Sequence, residues 1–449
     1  MSRRRVAGAG LVLVLCGLLA ACGGGAPTST QAYPIGGSLS GLKAGTSVTL
    51  LDNAGDPLQV SADGSFAFAT PVTDGASYAV TVGSQPSGQT CSVSNGSGTV
   101  SGGKVNTVAV ACFANAFALV AYQGNSTLAA YRIDAISGAL TLAPGSPVAS
   151  GVLSLSVTVN PAGTLAYVAN PNAVSVYRID ATTGALTPVS GSPFVENALP
   201  VSVALNPAGT LAFVANIDGS VSVYSIDPTT GALTSIPGSP FSSFLLPPGP
   251  FPSASVVVNP AGTMLYELTP GGFATYAIGL SGSLTAGLPL GASPPSGNAL
   301  ALNPTGTLAF ALPTGGGVRV YQINPASGVW TSVPGSPFAT GSGPTSVAVN
   351  PAGTLAFVTN GGDSTVSVYG IDATTGVLTP VSGSPFATGA DPVAVTVNPA
   401  GTLAFVANRF GANVSVYSID AATGALTPVP NSPFAVGVGP DAVAVAQQP

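Results

Sequence analysis

The stretch NPAGTLAFVTNGGDSTVSVYGIDATTGVLTPV, residues 350–381, decides the fold of this chain. Short runs of apolar or alternating residues are separated by turn sequences that contain Gly, Pro or Asp. This pattern indicates β-strands and gives no sign of a helix. Together with the residues just before it, the stretch predicts a unit of four strands, A to D: Thr345–Val349, Leu355–Thr359, Val366–Ile371 and Val377–Val381.

The same unit recurs along most of the chain. Its most regular element is Asn-Pro-Ala-Gly-Thr or a close variant, which begins at six positions: Asn160, Asn206, Asn259, Asn303, Asn350 and Asn398. The spacing of 44 to 53 residues is typical of propeller blades or of a solenoid. The absence of any helical pattern excludes the helical repeat proteins.

The number and phase of the units favour a closed ring. A tyrosine of strand C occurs seven times, at Tyr131, Tyr177, Tyr224, Tyr276, Tyr321, Tyr369 and Tyr417. The array opens with strands B, C and D, and its last strand A, Asp441–Ala446, stands alone near the C-terminus. Such a strand completes the first blade of a propeller and removes a free sheet edge. We therefore predict an all-β chain in which residues 113–449 form a seven-bladed β-propeller.

The recurring residues have structural roles in this interpretation. Asn-Pro-Ala-Gly forms the A–B turn, where Pro fixes φ and Gly supplies a positive φ. Ile-Asp-Ala-Thr-Thr-Gly forms the C–D hairpin, and its carboxylate is expected to cap that turn: Asp134, Asp180, Asp227, Asp372 and Asp420, with Asn324 in one blade. The strand C tyrosines and Trp330 are expected to pack between neighbouring blades.

The N-terminus predicts export. Three arginines precede an apolar run that is too short to span a bilayer, so residues 1–21 are expected to be a signal peptide. The sequence Leu19-Ala20-Ala21-Cys22 resembles the lipobox of bacterial lipoproteins, which implies a lipid on Cys22 and a membrane anchor in the cell envelope. Gly23 favours the outer membrane, and residues 22–33 form a flexible tether. An ordinary secretory signal with a chance cysteine is the alternative.

Between the tether and the propeller, residues 34–112 predict a small Ig-like or prealbumin-like β-sandwich. Cys91 and Cys112 are the two cysteines left after export and lipidation. An oxidising compartment favours a disulfide between them, and two buried free thiols are the alternative. The aspartates of this segment stand beside turn Gly or Pro, so turn formation explains them better than Ca²⁺ binding: Asp56, Asp63 and Asp74.

Composition excludes several functions. Charged residues make up 5% of the 449 residues and the formal net charge is −6, so no basic surface for nucleic acid is expected. There is no histidine, which removes the commonest general base and the commonest metal ligand. We therefore predict neither a cofactor nor a metal site.

The strings Leu403–Asn408, Val414–Asp420 and Thr423–Pro428 resemble the YVTN-repeat propellers and the lactonase-type propeller family associated with 6-phosphogluconolactonase. The resemblance covers about residues 113–449 and implies the fold and, as an expectation, lactone hydrolysis. Family blades typically read Ser-Pro-Asp-Gly at the A–B turn, and here other residues replace that aspartate: Ala162, Ala208, Ala261, Thr305, Ala352 and Ala400. Active members are expected to present His, Arg and carboxylates, so a carboxylate and an Arg would have to serve here.

Blade-specific polar residues concentrate in the D–A and B–C loops, which share one face of a propeller. They form the predicted ligand-binding face: Glu196, Asp218, Asp363, Asp391, Arg409, Asn413 and Asp441. The candidate catalytic residues are Asp391, Asp441 and Arg409, because the two aspartates begin successive A strands and Arg409 lies in the B–C loop between them. A polar ligand or a divalent cation would suit this cluster. Ordinary solvated loop charge is the alternative, since propeller topology alone gathers these loops.

Two further departures interrupt the repeat. An apolar D–A loop, Phe244–Phe251, could be a lid, a docking patch for a partner or a contact with the sandwich. Glu267 replaces the usual valine of strand B, so it either reaches solvent or has a polar partner.

Three functions remain open from the sequence. The first is an envelope-anchored binding or scaffold protein that holds a protein or glycan partner at the propeller mouth. The second is a lactonase-like hydrolase in the periplasm, and the third is a structural module of a larger envelope assembly. The sequence alone favours the first, because few catalytic residues are present.

Overall fold

The computed structural model describes residues 31–196, 198–242, 255–269, 272–287, 297–324 and 328–448. All the regular secondary structure in these ranges is β-strand, so the all-β prediction is confirmed. Within the same ranges no helix could cross a membrane. The predicted signal peptide, Cys22, nearly all of the tether and the loop Phe244–Phe251 lie outside the described residues.

The N-terminal part contains ten strands. They are β1 (Ala32–Tyr33), β2 (Ile35–Ser40), β3 (Val48–Asp52), β4 (Gly55–Val60), β5 (Gly64–Ala67), β6 (Val72–Thr73), β7 (Ser77–Ser84), β8 (Gln89–Ser94), β9 (Ser97–Thr99) and β10 (Val105–Ala114). One sheet has the order β5-β2-β10-β8 and a second has the order β4-β3-β7-β9. The two sheets share one apolar core, which includes Ile35, Leu50 and Val110. The segment is thus a small two-sheet β-sandwich, while its Ig-like or prealbumin-like assignment stays a prediction.

A disulfide joins the last two strands of the first sheet. Cys91 of β8 lies directly opposite Cys112 of β10 in the antiparallel pair. The two residues form the predicted disulfide, with their Cα atoms 3.9 Å apart, so the alternative of two free thiols is wrong.

The propeller contains the remaining strands, grouped into seven antiparallel sheets. Blade 1 has β11 (Ala116–Tyr122), β12 (Thr127–Ile133), β13 (Leu140–Leu142) and β14 (Val148–Ala149); blade 2 has β15 (Ser156–Val159), β16 (Leu165–Asn170), β17 (Ala173–Ile179), β18 (Leu186–Pro188) and β19 (Phe194–Val195); blade 3 has β20 (Pro200–Leu205), β21 (Leu211–Asn216), β22 (Ser220–Ile226), β23 (Leu233–Ser235) and β24 (Phe241–Ser242). Blade 4 has β25 (Ser255–Val258), β26 (Met264–Thr269), β27 (Gly272–Ile278) and β28 (Leu284–Ala286); blade 5 has β29 (Gly297–Leu302), β30 (Leu308–Pro313), β31 (Arg319–Ile323) and β32 (Trp330–Ser332). Blade 6 has β33 (Pro344–Val349), β34 (Leu355–Asn360), β35 (Thr365–Ile371), β36 (Leu378–Pro380) and β37 (Phe386–Ala387); blade 7 has β38 (Pro392–Val397), β39 (Leu403–Asn408), β40 (Asn413–Ile419), β41 (Leu426–Pro428) and β42 (Phe434–Ala435), and β43 (Pro440–Gln447) ends the chain.

The C-terminal strand closes the ring as predicted. β43 pairs antiparallel with β11, from Gln447 opposite Ala116 to Pro440 opposite Tyr122. Blade 1 therefore takes its strand A from the end of the chain and its other strands from the beginning. β11 therefore has a paired strand on its inner side and does not form a free sheet edge.

A short fifth strand, which the repeat pattern did not reveal, follows strand D in five blades within the described ranges. It comes from the recurring Ser-Pro-Phe or Ser-Pro-Val sequence and pairs with the start of strand C, as Phe386 does with Val366. The serine hydroxyl of this sequence accepts a hydrogen bond from a strand C backbone N–H, as Ser384 does from Val368 at 2.9 Å. The motif therefore anchors the blade's outer edge.

The predicted turn chemistry is confirmed. Gly353 of the A–B turn has a φ of +71°. The Asp420 carboxylate accepts hydrogen bonds from the backbone N–H groups of Ala422 and Thr423, at 3.1 and 2.8 Å. Hydrogen bonds from the Thr423 hydroxyl and backbone lower the pKa of Asp420. These aspartates therefore build turns, as expected from their recurrence in most blades.

The apolar core lies mostly between neighbouring blades. Tyr417 of blade 7 packs with Leu355 and Phe357 of blade 6, and its hydroxyl donates to the backbone carbonyl of Ala387 at the end of blade 6. Trp330 packs between blades 4 and 5, with its ring centroid 5.1 Å from that of Tyr266. The prediction that these aromatic residues join blades is confirmed.

An arginine fastens the sandwich to the propeller. The Arg132 guanidinium of strand β12 donates to the Thr90 hydroxyl of the sandwich and to the Asn115 amide oxygen of the connection, the latter at 2.7 Å. It also donates to the backbone carbonyl of Thr182 in blade 2, at 3.0 Å. One side chain thus joins three parts of the chain on the face formed by the C–D turns.

Candidate functional site

Three of the predicted site residues meet on the face formed by the D–A and B–C loops, which we call the mouth face. Arg409 donates from Nε and Nη2 to a single oxygen of Asp441, Oδ1, at 2.9 and 2.6 Å. Its Nη1 lies 3.7 Å from Oδ2 of Asp391. The structure therefore brings together Asp391, Arg409 and Asp441, which we call the mouth cluster.

Asp441 occupies a special backbone position. In the pairing of β43 with β11, Tyr122 lies opposite Pro440 and Ala121 opposite Ala442, so Asp441 is the extra residue of a β-bulge. Four other A strands have a bulge at the same place, and their extra residues are Val201, Asn298, Thr345 and Val393. Bulges redirect side chains and are common beside active sites. Blade 1 thus presents a carboxylate where the other bulged blades present neutral side chains.

Asp391 directly precedes β38 and does not begin it, which differs by one residue from the prediction. Its φ is +53°, a left-handed conformation that aspartate tolerates better than most residues. Its backbone carbonyl accepts the Arg409 N–H at 2.8 Å. The same residue therefore holds the Arg409 loop by its backbone and faces the guanidinium with its side chain.

The mouth cluster is partly desolvated. The side chain of Asp441 is 10% exposed, against 37% for Arg409. Burial raises the pKa of Asp441 and the neighbouring Asp391 charge raises it further, while Arg409 lowers it. Oδ2 of Asp441 has no hydrogen bond to any described residue. This oxygen can accept a proton from water or hold a substrate hydroxyl.

The other predicted mouth residues serve their own loops. The Asp363 carboxylate accepts the Ser342 backbone N–H at 2.6 Å, and the Asp218 carboxylate accepts the Ser220 hydroxyl at 2.7 Å. The Asn413 amide oxygen accepts from Asn408 at 2.7 Å. Glu196 accepts a hydrogen bond from the Tyr224 hydroxyl. These contacts shape the loops, and the predicted role of these residues in binding stays a prediction.

Glu267 is buried and has a polar partner. It lies on strand β26, packed between blades 3 and 4, and its side chain is fully inaccessible. Oε2 accepts from the Tyr276 hydroxyl at 3.1 Å, whereas Oε1 has no partner among the described residues. Burial raises the pKa of Glu267 to about 7, and the Asp218 charge contributes to the rise. Of the two possibilities that the sequence left open, solvent exposure is wrong.

Arg319 is a feature that the sequence analysis missed. It stands at the start of strand C in blade 5, two residues before Tyr321. The other blades have a small residue at this position, either Ser or Ala: Ala129, Ser175, Ser222, Ala274, Ser367 and Ser415. Its Nε is buried and has no partner among the described residues. Comparison of the aligned repeats, position by position, was the signal that could have found it.

A cleft of about 450 Å³ lies on the opposite face, between blades 7 and 1 and the sandwich. Its lining includes Phe113, Ile136, Leu403 and Ile419. None of the mouth cluster residues takes part in it, so the cleft is separate from the candidate site. In the described part of the chain, no three His, Cys, Asp or Glu side chains are grouped as a metal site would need.

Fold and site together define a class of protein: a closed seven-bladed β-propeller with an arginine–carboxylate cluster on its mouth face. The family model described as "Lactonase, 7-bladed beta-propeller" matches residues 154–241 and 299–441. The chain belongs to this lactonase family of seven-bladed propellers, as its resemblance predicted.

Solved structures share the fold. One is the periplasmic gluconolactonase of Pseudomonas aeruginosa, with 21% identity, a TM-score of 0.61, and coverage of 75% of this chain and 100% of the other. Another is a candidate 6-phosphogluconolactonase of Bacteroides fragilis, with 21% identity, a TM-score of 0.61, and coverage of 74% and 98%. At this identity the likeness establishes the fold alone. No protein of curated function matches the sequence.

Proposed function

We propose that this protein is a lactone hydrolase whose active site is the mouth cluster. The observation that carries the proposal is the membership of the chain in the lactonase propeller family. It favours hydrolysis over the scaffold role that the sequence alone puts first. The mouth cluster supports it, because a partly desolvated carboxylate and a guanidinium are the two groups that the reaction needs.

In the proposed reaction, water attacks the lactone carbonyl carbon and Oδ2 of Asp441 accepts the proton that the water loses. A carboxylate with a raised pKa is a stronger base than an ordinary one, which suits this role. The ring C–O bond then breaks, the ring oxygen takes the proton held by Asp441, and the product is an open-chain hydroxy acid, which leaves Asp441 ionised again.

Arg409 supplies the positive charge that the reaction requires. Its side chain is 37% exposed, so the guanidinium can face a substrate while it holds Asp441. Charge that develops on the carbonyl oxygen is stabilised by such a preorganised donor. Asp391 acts as a positioning residue, since it holds the Arg409 loop through its backbone carbonyl.

The cellular setting is also part of the proposal. The lipobox-like sequence ending at Cys22 supports a lipid-anchored protein of the cell envelope, most consistent with the outer membrane. A substrate would then be a lactone present outside the cytoplasm. Binding of a protein or glycan partner at the mouth is the second proposed activity, and it rests on the anchor alone.

The test is hydrolysis of a lactone panel by the purified protein, with glucono-1,5-lactone, 6-phosphogluconolactone and γ-butyrolactone, measured by proton release. We expect turnover of at least one lactone and a loss of about 10²- to 10⁴-fold in Asp441→Asn. Asp363→Asn is the matched control, because it removes a carboxylate of the same face that is engaged with Ser342. Absence of turnover in the wild-type protein, or equal losses in both variants, would contradict the proposal.

A further inference from the structure

The described loops of the mouth face differ in chemistry, and those around blades 7, 1 and 2 carry exposed apolar side chains. Six exposed large apolar side chains lie in its loops or beside them: Val152, Leu153, Val195, Leu199, Phe410 and Val438. They belong to the B–C loop of blade 7 and to the D–A connections that lead into blades 1, 2 and 3. These elements belong to neighbouring blades of the ring, so the six side chains lie along one side of the rim, and we call this set the apolar arc.

The loops of blades 5 and 6 on the same face contrast with the apolar arc. The corresponding loops of blades 5 and 6, residues 314–317, 340–343, 361–364 and 388–391, contain only Gly, Ser, Thr, Ala and Asp. Exposed apolar residues that are scattered singly are normal on a protein surface. Six of them in neighbouring loops of the described mouth face are unlike such scatter and are typical of a binding surface.

The apolar arc begins beside the mouth cluster. Phe410 follows Arg409 in the same loop, and its side chain is 79% exposed. Val438 lies three residues before Asp441, and its Cγ1 lies against Gly124 of the next B–C loop. A ligand whose polar end reaches Arg409 and Asp441 would therefore have its remaining atoms over Phe410, Val438 and the arc beyond them.

Charge restricts the chemistry of that ligand. The loop residues of the arc, 150–155, 196–199, 409–412 and 436–439, contain one basic residue, Arg409, and one acidic residue, Glu196. Arg409 is already paired with two carboxylates. The arc thus has no spare positive charge for an anionic substituent, while its valine, leucine and phenylalanine side chains favour a hydrocarbon one.

We propose that the mouth takes lactones that carry an apolar chain, with the ring at the mouth cluster and the chain lying along the apolar arc. This inference rests on the proposed function for the reaction, and on the apolar arc for the substrate class. The apolar arc is observed independently of any catalytic role, so binding and turnover can be tested separately.

The experiment compares lactones with the same five-membered ring and a growing alkyl chain: γ-butyrolactone, γ-octalactone and γ-decalactone, with glucono-1,5-lactone as the polar reference. Since each buried methylene favours binding several-fold, we expect KM to be about tenfold or more lower for γ-octalactone than for γ-butyrolactone. In Phe410→Ser and Leu153→Ser, we expect the ratio of KM for γ-butyrolactone to KM for γ-octalactone to fall towards one, with kcat little changed.

Ile136→Ser is the matched control. Ile136 is 75% exposed like Phe410, yet it lies in the C–D turn of blade 1 on the opposite face. It should leave the chain-length dependence intact. The inference would be overturned by an equal KM for all chain lengths or by a preference for glucono-1,5-lactone. It would also be overturned if Ile136→Ser reduced the dependence of KM on chain length as much as Phe410→Ser does.

Failure of the proposed function would be recognised separately. If no lactone is hydrolysed, calorimetric binding of alkyl γ-lactams, which resist hydrolysis, replaces the kinetic measurement. Tighter binding with chain length that is lost in Phe410→Ser would sustain the inference while the hydrolase proposal fails. If the lactams do not bind and the protein instead sediments with phosphatidylcholine vesicles in a Phe410-dependent way, the arc is a membrane contact and the inference is wrong.

Discussion

Arg409 and Asp441 are joined through one oxygen: Nε and Nη2 of the arginine both donate to Oδ1, at 2.9 and 2.6 Å. This geometry leaves Oδ2 of the carboxylate available while Oδ1 is held. It also fixes the guanidinium plane relative to the carboxylate, which a single hydrogen bond would not do. The pair therefore separates two tasks, one oxygen for position and the other for chemistry.

Replacement of Arg409 tests the two-nitrogen contact. Loss of one preorganised donor to a developing oxyanion typically costs about 10²-fold in kcat. We expect Arg409→Gln to lose about that much, and Arg409→Lys to be intermediate, because an ammonium keeps the charge but not the paired N–H groups. The measurement is kcat and KM on the best lactone of the panel. Arg178→Gln is the control, since Arg178 donates to backbone carbonyls of blade 3 on the opposite face; a similar loss there would indicate a general effect on the fold.

The pH dependence of the reaction should move in opposite directions in two variants. The base must be ionised, so kcat/KM is expected to rise with pH through the raised pKa of Asp441. Arg409 lowers that pKa, so in Arg409→Gln the rising limb moves to higher pH. Asp391 raises it, so in Asp391→Asn the limb moves to lower pH. Shifts in the same direction in both variants would exclude Asp441 as the titrating base.

Much of the propeller was predictable because the same pattern of strands and turns recurs in the sequence of each blade. The phase of the repeat placed strand A of blade 1 at the C-terminus, and the structure pairs it there with β11. Strand β2 is harder to predict, since Gly36 and Gly37 weaken a strand pattern. The structure explains them: a Cβ at Gly37 would lie 1.8 Å from the Val108 carbonyl oxygen, so only glycine fits beside the parallel partner β10.

The candidate site was predictable only in part. Topology alone placed Asp391, Arg409 and Asp441 on one face. The bulge that turns Asp441 towards Arg409 depends on register, which the sequence pattern does not specify. Whether Glu267 pointed into a blade interface or to solvent likewise depended on packing between blades, which a single repeat cannot reveal.

Glu267 should make stability depend on pH. Its folded-state pKa of about 7 exceeds the ordinary value of 4.5, so the folded protein binds more protons than the unfolded chain between these two values. The contribution of Glu267 to the free energy of unfolding is fully present below about pH 4.5. Up to about 3 kcal/mol of stability is lost as the pH rises to about 7. We expect the free-energy difference between wild type and Glu267→Gln, from denaturant unfolding, to change by that amount between pH 4 and 8.

A second variant checks the assignment of that pH dependence. The Tyr276 hydroxyl lowers the pKa of Glu267 by hydrogen bonding to the carboxylate. In Tyr276→Phe the loss of stability should therefore extend to higher pH. If Glu267→Gln shows the same pH dependence of unfolding as the wild type, Glu267 does not hold a proton in the folded state.

Ring closure should stabilise the whole propeller, including blades far from the closing strand. Removal of residues 440–449 deletes β43, exposes the edge of β11 and uncovers the core that Val443 and Ala446 help to fill. Lost ladder hydrogen bonds and lost burial together predict a decrease on the order of 5 kcal/mol in the free energy of unfolding.

Trp330, the one tryptophan of the chain, is buried between blades 4 and 5, so its fluorescence reports the distant side of the ring. We expect its unfolding transition to move to lower denaturant in the truncated protein and to stay unchanged in a variant that lacks Pro449 alone. A Trp330 transition that does not move while circular dichroism shows loss of β-structure would mean that closure acts only on blade 1, and that the ring is held by contacts between neighbouring blades.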